Sequence, residues 1–211
     1  MDTAPDLSGL ILAAGQGRRM GGLAKGALRL DGEPIVRRQI HALRALGVSD
    51  IVVVLGAHAE TLAPLIANLP VRTVRHATEA SEITDSQRLG LAALRPDTQG
   101  VMVILSDLVL LDASDLQEAL QQWTARPPSV QCLFPVVAGQ RGHPTLLSRI
   151  AIQATLAQAD ALGVRDWQRT AQDQVMRFVS ANAHFTTDVD TLEALAQADR
   201  GLGGGRLQLP D

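Results

Sequence analysis

The sequence predicts a single-domain α/β protein, a Rossmann-like three-layer α/β/α fold around a mostly parallel mixed sheet, on three observations. Short apolar runs bounded by turn residues recur at 10–14, 51–55, 101–105 and 131–137, as strands buried on both faces require. Helix-length amphipathic segments lie between and beside them at 35–46, 59–66, 86–94 and 113–123, the alternation that builds a parallel sheet. The 211 residues, 46% hydrophobic and 19% charged, suffice for one full core.

Taken in order, the run at 10–14 is the first strand and opens directly into a glycine-rich loop. The helix at 35–46 stops at Gly47, and the run at 51–55 is the second strand. Asp112 is placed to cap the helix that starts near Ala113, with Asp115 in its first turn, and Pro127 and Pro128 close that helix. Beyond Gly142 the pattern loosens to helices at 149–157 and 165–172, a strand at 175–179 and a helix at 192–198. Residues 1–200 read as one domain, and 201–211, rich in glycine, as a flexible C-terminal tail.

Composition excludes several classes. A formal net charge of −3, no tyrosine and only five Trp and Phe together leave neither a basic surface nor stacking platforms for nucleic acid. The lone Cys132, in an apolar run, reads as a core thiol and supports neither a disulfide nor a cysteine zinc site. No apolar stretch reaches the ~20 residues that span a bilayer, so no membrane partner is expected and the expected location is cytoplasmic. His58 and His76 have no ligand partner at a recognisable spacing and read as structural.

The chemistry concentrates in three places. Leu12-Ala13-Ala14-Gly15-Gln16-Gly17-Arg18-Arg19-Met20-Gly21-Gly22, with Lys25 following, joins a buried strand to glycines and cations. Glycines let backbone N–H groups approach phosphate oxygens while Arg and Lys offset the charge, which suits a polyphosphate. The spacing is neither that of a Walker loop nor that of a dinucleotide fingerprint, and an ordinary strand-to-helix turn is the alternative. Asp107 follows the strand at 101–105 and so stands at the carboxyl edge of the sheet, as a Mg²⁺ ligand or as a strand-end turn. Asp188 and Asp190 are the candidates to complete a metal site, Asp188 being preferred because Asp190 sits where a helix cap is expected before Leu192. The third place, Gly139-Gln140-Arg141-Gly142-His143-Pro144, reads as a surface turn that could meet an anionic acceptor.

In their order along the chain these pieces resemble the molybdopterin nucleotidyltransferase-like family, most closely its molybdenum cofactor cytidylyltransferase branch, nearly to Ala198. Ser106-Asp107-Leu108-Val109 stands where the family has Gly-Asp-Gln/Met-Pro, Asp188-Val189-Asp190-Thr191 resembles its closing acidic motif, and Gly163-Val164-Arg165 resembles a Gly-x-Arg element of the branch. The resemblance implies that Leu12, Ala13, Ala14, Gly15, Gly17, Arg18, Arg19, Gly21 and Lys25 bind the nucleotide together with Thr84 and Ser86. It implies Arg19, Lys25 and Asp107 as catalytic residues, Mg²⁺ on Asp107 and Asp188, and an acceptor held by Arg141, Gly142, His143 and Pro144. The implied reaction is transfer of CMP from CTP to molybdopterin with release of pyrophosphate, the Ala13-Ala14 pair favouring cytidine, and a molybdenum hydroxylase as the receiver of the product. Another triphosphate and another phosphorylated acceptor, such as a sugar phosphate, is the alternative.

Overall fold

The structure is a computed structural model that describes residues 6–76, 82–159 and 162–210. In chain order its elements are β1 (Ser8–Ala13), β2 (Arg29–Leu30), β3 (Glu33–Pro34), α1 (Ile35–Ala45), β4 (Ile51–Leu55), α2 (Ala59–Ile66), β5 (Arg72–Arg75) and α3 (Ile83–Ala92). There follow β6 (Gly100–Leu105), α4 (Ala113–Thr124), β7 (Cys132–Val137), β8 (Gln140–Arg141), β9 (Thr145–Ser148), α5 (Arg149–Leu156), α6 (Val164–Thr170), β10 (Val175–Val179), α7 (Leu192–Gly201) and β11 (Leu207–Gln208).

The main sheet runs β10-β7-β9-β6-β1-β4-β5, with β8 folded back on β7. Pairing is parallel except at β9, which runs against both β6 and β7, and at the β7–β8 hairpin. Alternation along β1 divides the core between two faces. Ile11 and Ala13 pack with α1, α2 and α4 through Ile40, Leu43, Leu62 and Leu116, whereas Leu10 and Leu12 pack with α3, α5 and α6 through Leu91, Ala151 and Trp167. This is the three-layer arrangement expected from the sequence. The four apolar runs do share one sheet, but β9 is inserted between the third and fourth.

Several local expectations hold in detail. Asp112 accepts from the amides of Ser114 and Asp115 at 2.8 and 3.1 Å, and Asp115 returns a bond to the amide of Asp112 at 2.9 Å, a reciprocal cap on α4. Gly47, at φ 83°, ends α1 by donating to the Arg44 carbonyl at 2.9 Å. Cys132 is buried, and burial pushes its thiol up to about 11.

A smaller sheet, β11-β2-β3, lies beside a third apolar cluster of Met20, Leu28, Ile35, Val109, Val189, Leu195 and Leu207. It departs from the flexible tail expected for 201–211. The Asp199 carboxylate accepts from the amides of Gly205, Arg206 and Leu207 at 2.7 to 2.8 Å, Arg206 pairs with Asp31, and Leu207 is buried. The glycines turn the chain back onto β2. Residues 1–5 and 211, the outer ends of the two expected segments, lie outside the described residues. No helix among the described residues is long and apolar enough to cross a membrane.

Candidate functional site

β1 is the point at which the parallel sheet changes direction, because β4 and β5 extend it one way and β6 the other. Open α/β sheets bind ligands in the crevice beyond the carboxyl ends of strands at such a point. Leu12 is in register with Leu105, and the Ser106 amide donates to the Leu12 carbonyl at 3.1 Å. The glycine loop and Asp107 therefore leave the sheet side by side.

The loop is built on glycine stereochemistry. Gly17 adopts φ 60°, and a Cβ there would lie 2.0 Å from the Leu23 carbonyl oxygen, so no other residue fits. A 3-10 turn over Arg18–Met20 follows and buries Met20 in the third cluster, which pins the loop while Arg18 and Arg19 stay exposed. His58, at the N-terminal end of α2, donates to the Gln16 carbonyl at 3.0 Å. The resulting hollow is lined by residues 15–19, Lys25, Glu82 and Asp190. A second hollow shares Gly15 and Lys25 with it and is walled by Leu12, Ala13, Ala14, His58, Ser86 and Asp107.

Lys25 bridges the two acidic motifs. Its ammonium lies 3.2 Å from Asp107 and is also bonded to Asp190, which pairs with Arg19 at 2.8 Å. Burial opposes the Lys25 charge, but Asp190 and Asp107 outweigh it and hold the pKa above the ordinary lysine value. Burial raises the Asp107 pKa despite Lys25, with Asp188 and Asp190 adding like-charge repulsion, whereas the Lys25 hydrogen bond lowers that of Asp190. The buried Asp107 Oδ1 has no hydrogen-bond partner among the described residues. A buried carboxylate oxygen without a donor, beside further carboxylates, fits a hard divalent cation.

Asp188 and Asp190 are placed differently. The Val189 amide donates to the Asp107 carbonyl at 3.0 Å, and an isolated bridge joins Leu108 to Asp188, bringing the exposed Asp188 carboxylate within electrostatic reach of Asp107. The cap on α7 is Thr191, whose hydroxyl accepts from the Ala194 amide, so Asp190 is not the cap and is left to face Lys25. Val109, where the family pattern has proline, is buried in the third cluster. Sequence reasoning missed Gln39, a buried residue of α1 that donates to the carbonyls of Leu105 and Leu108 at 2.9 and 3.3 Å and so braces the Asp107 turn. No local pattern marks a glutamine on the buried face of a helix. Asp112, Asp115 and His184 also bring ligand atoms within 4.8 Å of one another, but the cap of α4, Asn182 and His184 itself already occupy those carboxylates.

The segment 139–144 departs from the surface turn expected. Only Ala138 and Gly139, at φ 48° and 80°, form the turn, a two-residue hairpin connection between β7 and β8. Gly142 is buried against Phe185, whose carbonyl a Cβ there would approach to 2.5 Å, and the His143–Pro144 bond is cis. Arg141 stacks over Phe134 at 4.0 Å and donates to Gln168 and Thr145. His143 lies deep, with Nδ1 3.4 Å from the Val103 carbonyl, and burial with the Arg141 charge lowers its pKa to about 4.

Arg141 and His143 line a third hollow with Thr84, Gln87 and Thr145, and it shares Ile83 and Leu105 with the second. The three form one groove along the sheet edge. Thr84 and Ser86 are thereby separated, Thr84 on the His143 side and Ser86 on the Lys25 side, where the Ser86 hydroxyl is bonded to His76 at 3.0 Å. Asp85 does not enter the groove lining; it accepts from the Glu82 amide at 2.9 Å and starts α3.

A family model described as a MobA-like NTP transferase domain matches residues 9–175. Among curated proteins the chain is similar to the bifunctional protein GlmU of Mycobacterium marinum, 28% identical over 215 residues that cover 98% of this chain and 42% of that protein. The chain thus spans less than half the length of that relative. Among solved structures it is similar to Rv0371c of Mycobacterium tuberculosis H37Rv, with TM-score 0.76, 21% identity and 93% and 98% of the two chains covered. A manganese complex of that protein aligns with TM-score 0.68 at 19% identity over 89% and 95% of the chains. The inositol-1-phosphate CTP transferase of T. maritima aligns with TM-score 0.67 at 13% identity over 96% of each. At these identities the structural likenesses carry the fold.

Proposed function

Because the chain belongs to the MobA-like NTP transferase domain family, we propose that it is a divalent-metal-dependent nucleotidylyltransferase, transferring CMP from CTP to molybdopterin. The observation that carries the reading is the junction of Lys25, Asp107 and Asp190 beneath a glycine loop with exposed arginines. The triphosphate lies along residues 15–21, with Arg19 and Lys25 drawn from Asp190 to its oxygens. The nucleoside occupies the hollow walled by Ala13, Ala14 and Ser86. The acceptor enters from the Arg141 and His143 side.

An oxygen of the acceptor phosphate attacks the α-phosphorus, the bond from that phosphorus to the bridging oxygen breaks, and pyrophosphate leaves. This chain contributes alignment and charge: Lys25 offsets charge on the leaving group, and neutral His143 with Arg141 orients the acceptor. Mg²⁺ or Mn²⁺ held by Asp107 and Asp188 supplies further charge neutralisation at the phosphates. The manganese complex of the similar Rv0371c supports a divalent ion, and the cytidine preference rests on the Ala13-Ala14 pair.

A second reading keeps the reaction and replaces the acceptor with a sugar or polyol phosphate. The likeness to an inositol-1-phosphate CTP transferase favours it. The test is pyrophosphate release with Mg²⁺ and each of CTP, GTP, ATP and UTP, with molybdenum-loaded molybdopterin or with sugar and inositol phosphates, using Asp107→Ala as control. CTP-selective release that requires molybdopterin and is lost in the control is the expected result. Release with a sugar phosphate alone establishes the second reading, and no release with any pair overturns both.

A further inference from the structure

Arg141 belongs to two hollows. On one side it lines the groove beside His143, and on the other it opens onto a separate hollow of about 400 Å³ walled by Phe134, Arg165, Gln168, Arg169 and Arg177. Three elements converge there. Arg177 on β10 is the register partner of Phe134 on β7, over which the Arg141 guanidinium stacks, and Arg165 stands in the first turn of α6. Arg165 lines both hollows and connects them.

The charges in this hollow do not balance. Arg169 pairs with Asp166 at 2.8 Å, but among the described residues Arg141, Arg165 and Arg177 have no carboxylate within ion-pair distance. Arg141 spends its hydrogen bonds on the neutral Gln168 and Thr145, and its buried Nε has no acceptor. Burial lowers the Arg141 pKa to about 10, and the Arg165 and Arg177 charges push the same way. Two like charges gathered beside one partly buried guanidinium are held against repulsion, and an oxyanion bound among the three offsets it. Guanidinium forks suit phosphate and carboxylate geometry.

We propose that Arg141, Arg165 and Arg177 form a second oxyanion site, which receives an anionic group of the acceptor other than the phosphate that attacks. The inference rests on the nucleotidylyltransferase reading for the word acceptor, and it narrows the substrate class to molecules carrying at least two anionic groups. The site grips the far end of the acceptor through Arg165 and Arg177, while Arg141 reaches both compartments.

The test titrates the full chain with inorganic phosphate while following the side-chain Nε–H signals of its arginines by NMR. The Arg165 and Arg177 signals should move together along one binding curve. In the Arg165→Gln/Arg177→Gln variant, phosphate binding read at Arg141 should weaken at least 10-fold with CTP affinity within twofold of the parent. Arg149→Gln, a charge change on an exposed residue elsewhere, should leave phosphate binding unaltered. With the acceptor that supports turnover, the double variant should raise KM at least 10-fold and leave kcat within twofold. Signals that stay still, a double variant that binds as the parent does, or equal weakening in Arg149→Gln overturns the proposal. Failure of the functional reading shows separately, as absence of pyrophosphate release by the unaltered protein, and the phosphate titration does not depend on it.

Discussion

Lys25 and His143 show how single residues set the state of the groove. Lys25 is the counter-ion of both Asp107 and Asp190, so Lys25→Ala leaves two carboxylates facing each other, both of them partly buried. We expect loss of about 1–3 kcal/mol of stability without metal, recovered in large part by millimolar Mg²⁺, and a fall in kcat of roughly 10²–10³-fold from the lost phosphate contact. Thermal melts with and without Mg²⁺, beside pyrophosphate-release rates, check both. A variant that melts identically with and without metal removes Asp107 from the metal site. His143 carries the opposite lesson. Its folded pKa of about 4 lies below the 6.5 of an ordinary histidine, so between those values the unfolded chain takes up a proton that the folded chain refuses. Stability contributed by the neutral ring is full above pH 6.5 and is lost as pH falls toward 4, by on the order of 2–3 kcal/mol. Urea denaturation from pH 7 to 4 should show this slope, and His143→Gln should flatten it; an unchanged slope places the proton elsewhere.

At the scale of elements, Gly142 follows the β7–β8 hairpin and packs against Phe185, just ahead of the residues proposed to meet the acceptor. The Gly142 amide donates to the Pro135 carbonyl at 2.8 Å and the His143 amide to the Phe185 carbonyl at 2.9 Å, leaving no room for a methyl group at Gly142. Gly142→Ala must push the strand off Phe185, at a cost of about 1–3 kcal/mol, and should raise the KM of the acceptor while that of the triphosphate stays within twofold. Steady-state kinetics with each substrate varied in turn reads the difference, and an equal change in both KM values removes the hairpin from acceptor binding. The same scale shows what the sequence could disclose. β1, β4, β6 and β7 were legible as apolar runs because both of their faces are covered. β5 was not, since Arg72-Thr73-Val74-Arg75 forms an edge strand with charged, largely exposed side chains. β9 was hidden because its four residues run straight into α5. The β2–β3 hairpin had a readable signal in Asp31-Gly32, whose positive φ values of 53° and 81° make the two-residue turn that an Asp-Gly pair favours. Asp107 could be singled out because a strand end locates it and Lys25 because it follows the glycine loop, whereas Gln39 and the placement of Asp190 depend on elements that meet only after folding.

Across the whole molecule, the edge that carries the candidate site is held between two structures of different strength. The main sheet fixes Asp107 through the pairing of β1 with β6, both almost wholly buried. The glycine loop lacks that support and depends on the third apolar cluster, in which Met20 from the loop, Val109 beyond Asp107, Val189 between the two closing aspartates and Leu207 from β11 share one small core. The last residues of the chain therefore act on the first motif, almost the full length of the sequence away. Leu207→Ala opens a cavity in this small core and should cost about 2–3 kcal/mol, or roughly 4–12 °C in Tm for a domain of this size. Its distinctive effect should be on the site: with Met20 loosened, triphosphate affinity should fall several-fold at temperatures where the protein remains folded. Leu91→Ala, in the cluster on the opposite face of the sheet, should cost comparable stability and leave that affinity unchanged. Calorimetric titration of CTP into both variants at 20 °C, after their Tm values have been matched by melts, separates the two effects. Equal affinity in the pair would mean that the loop is ordered by β1 alone, and a fall confined to Leu207→Ala would mean that β11 belongs to the machinery that holds the nucleotide.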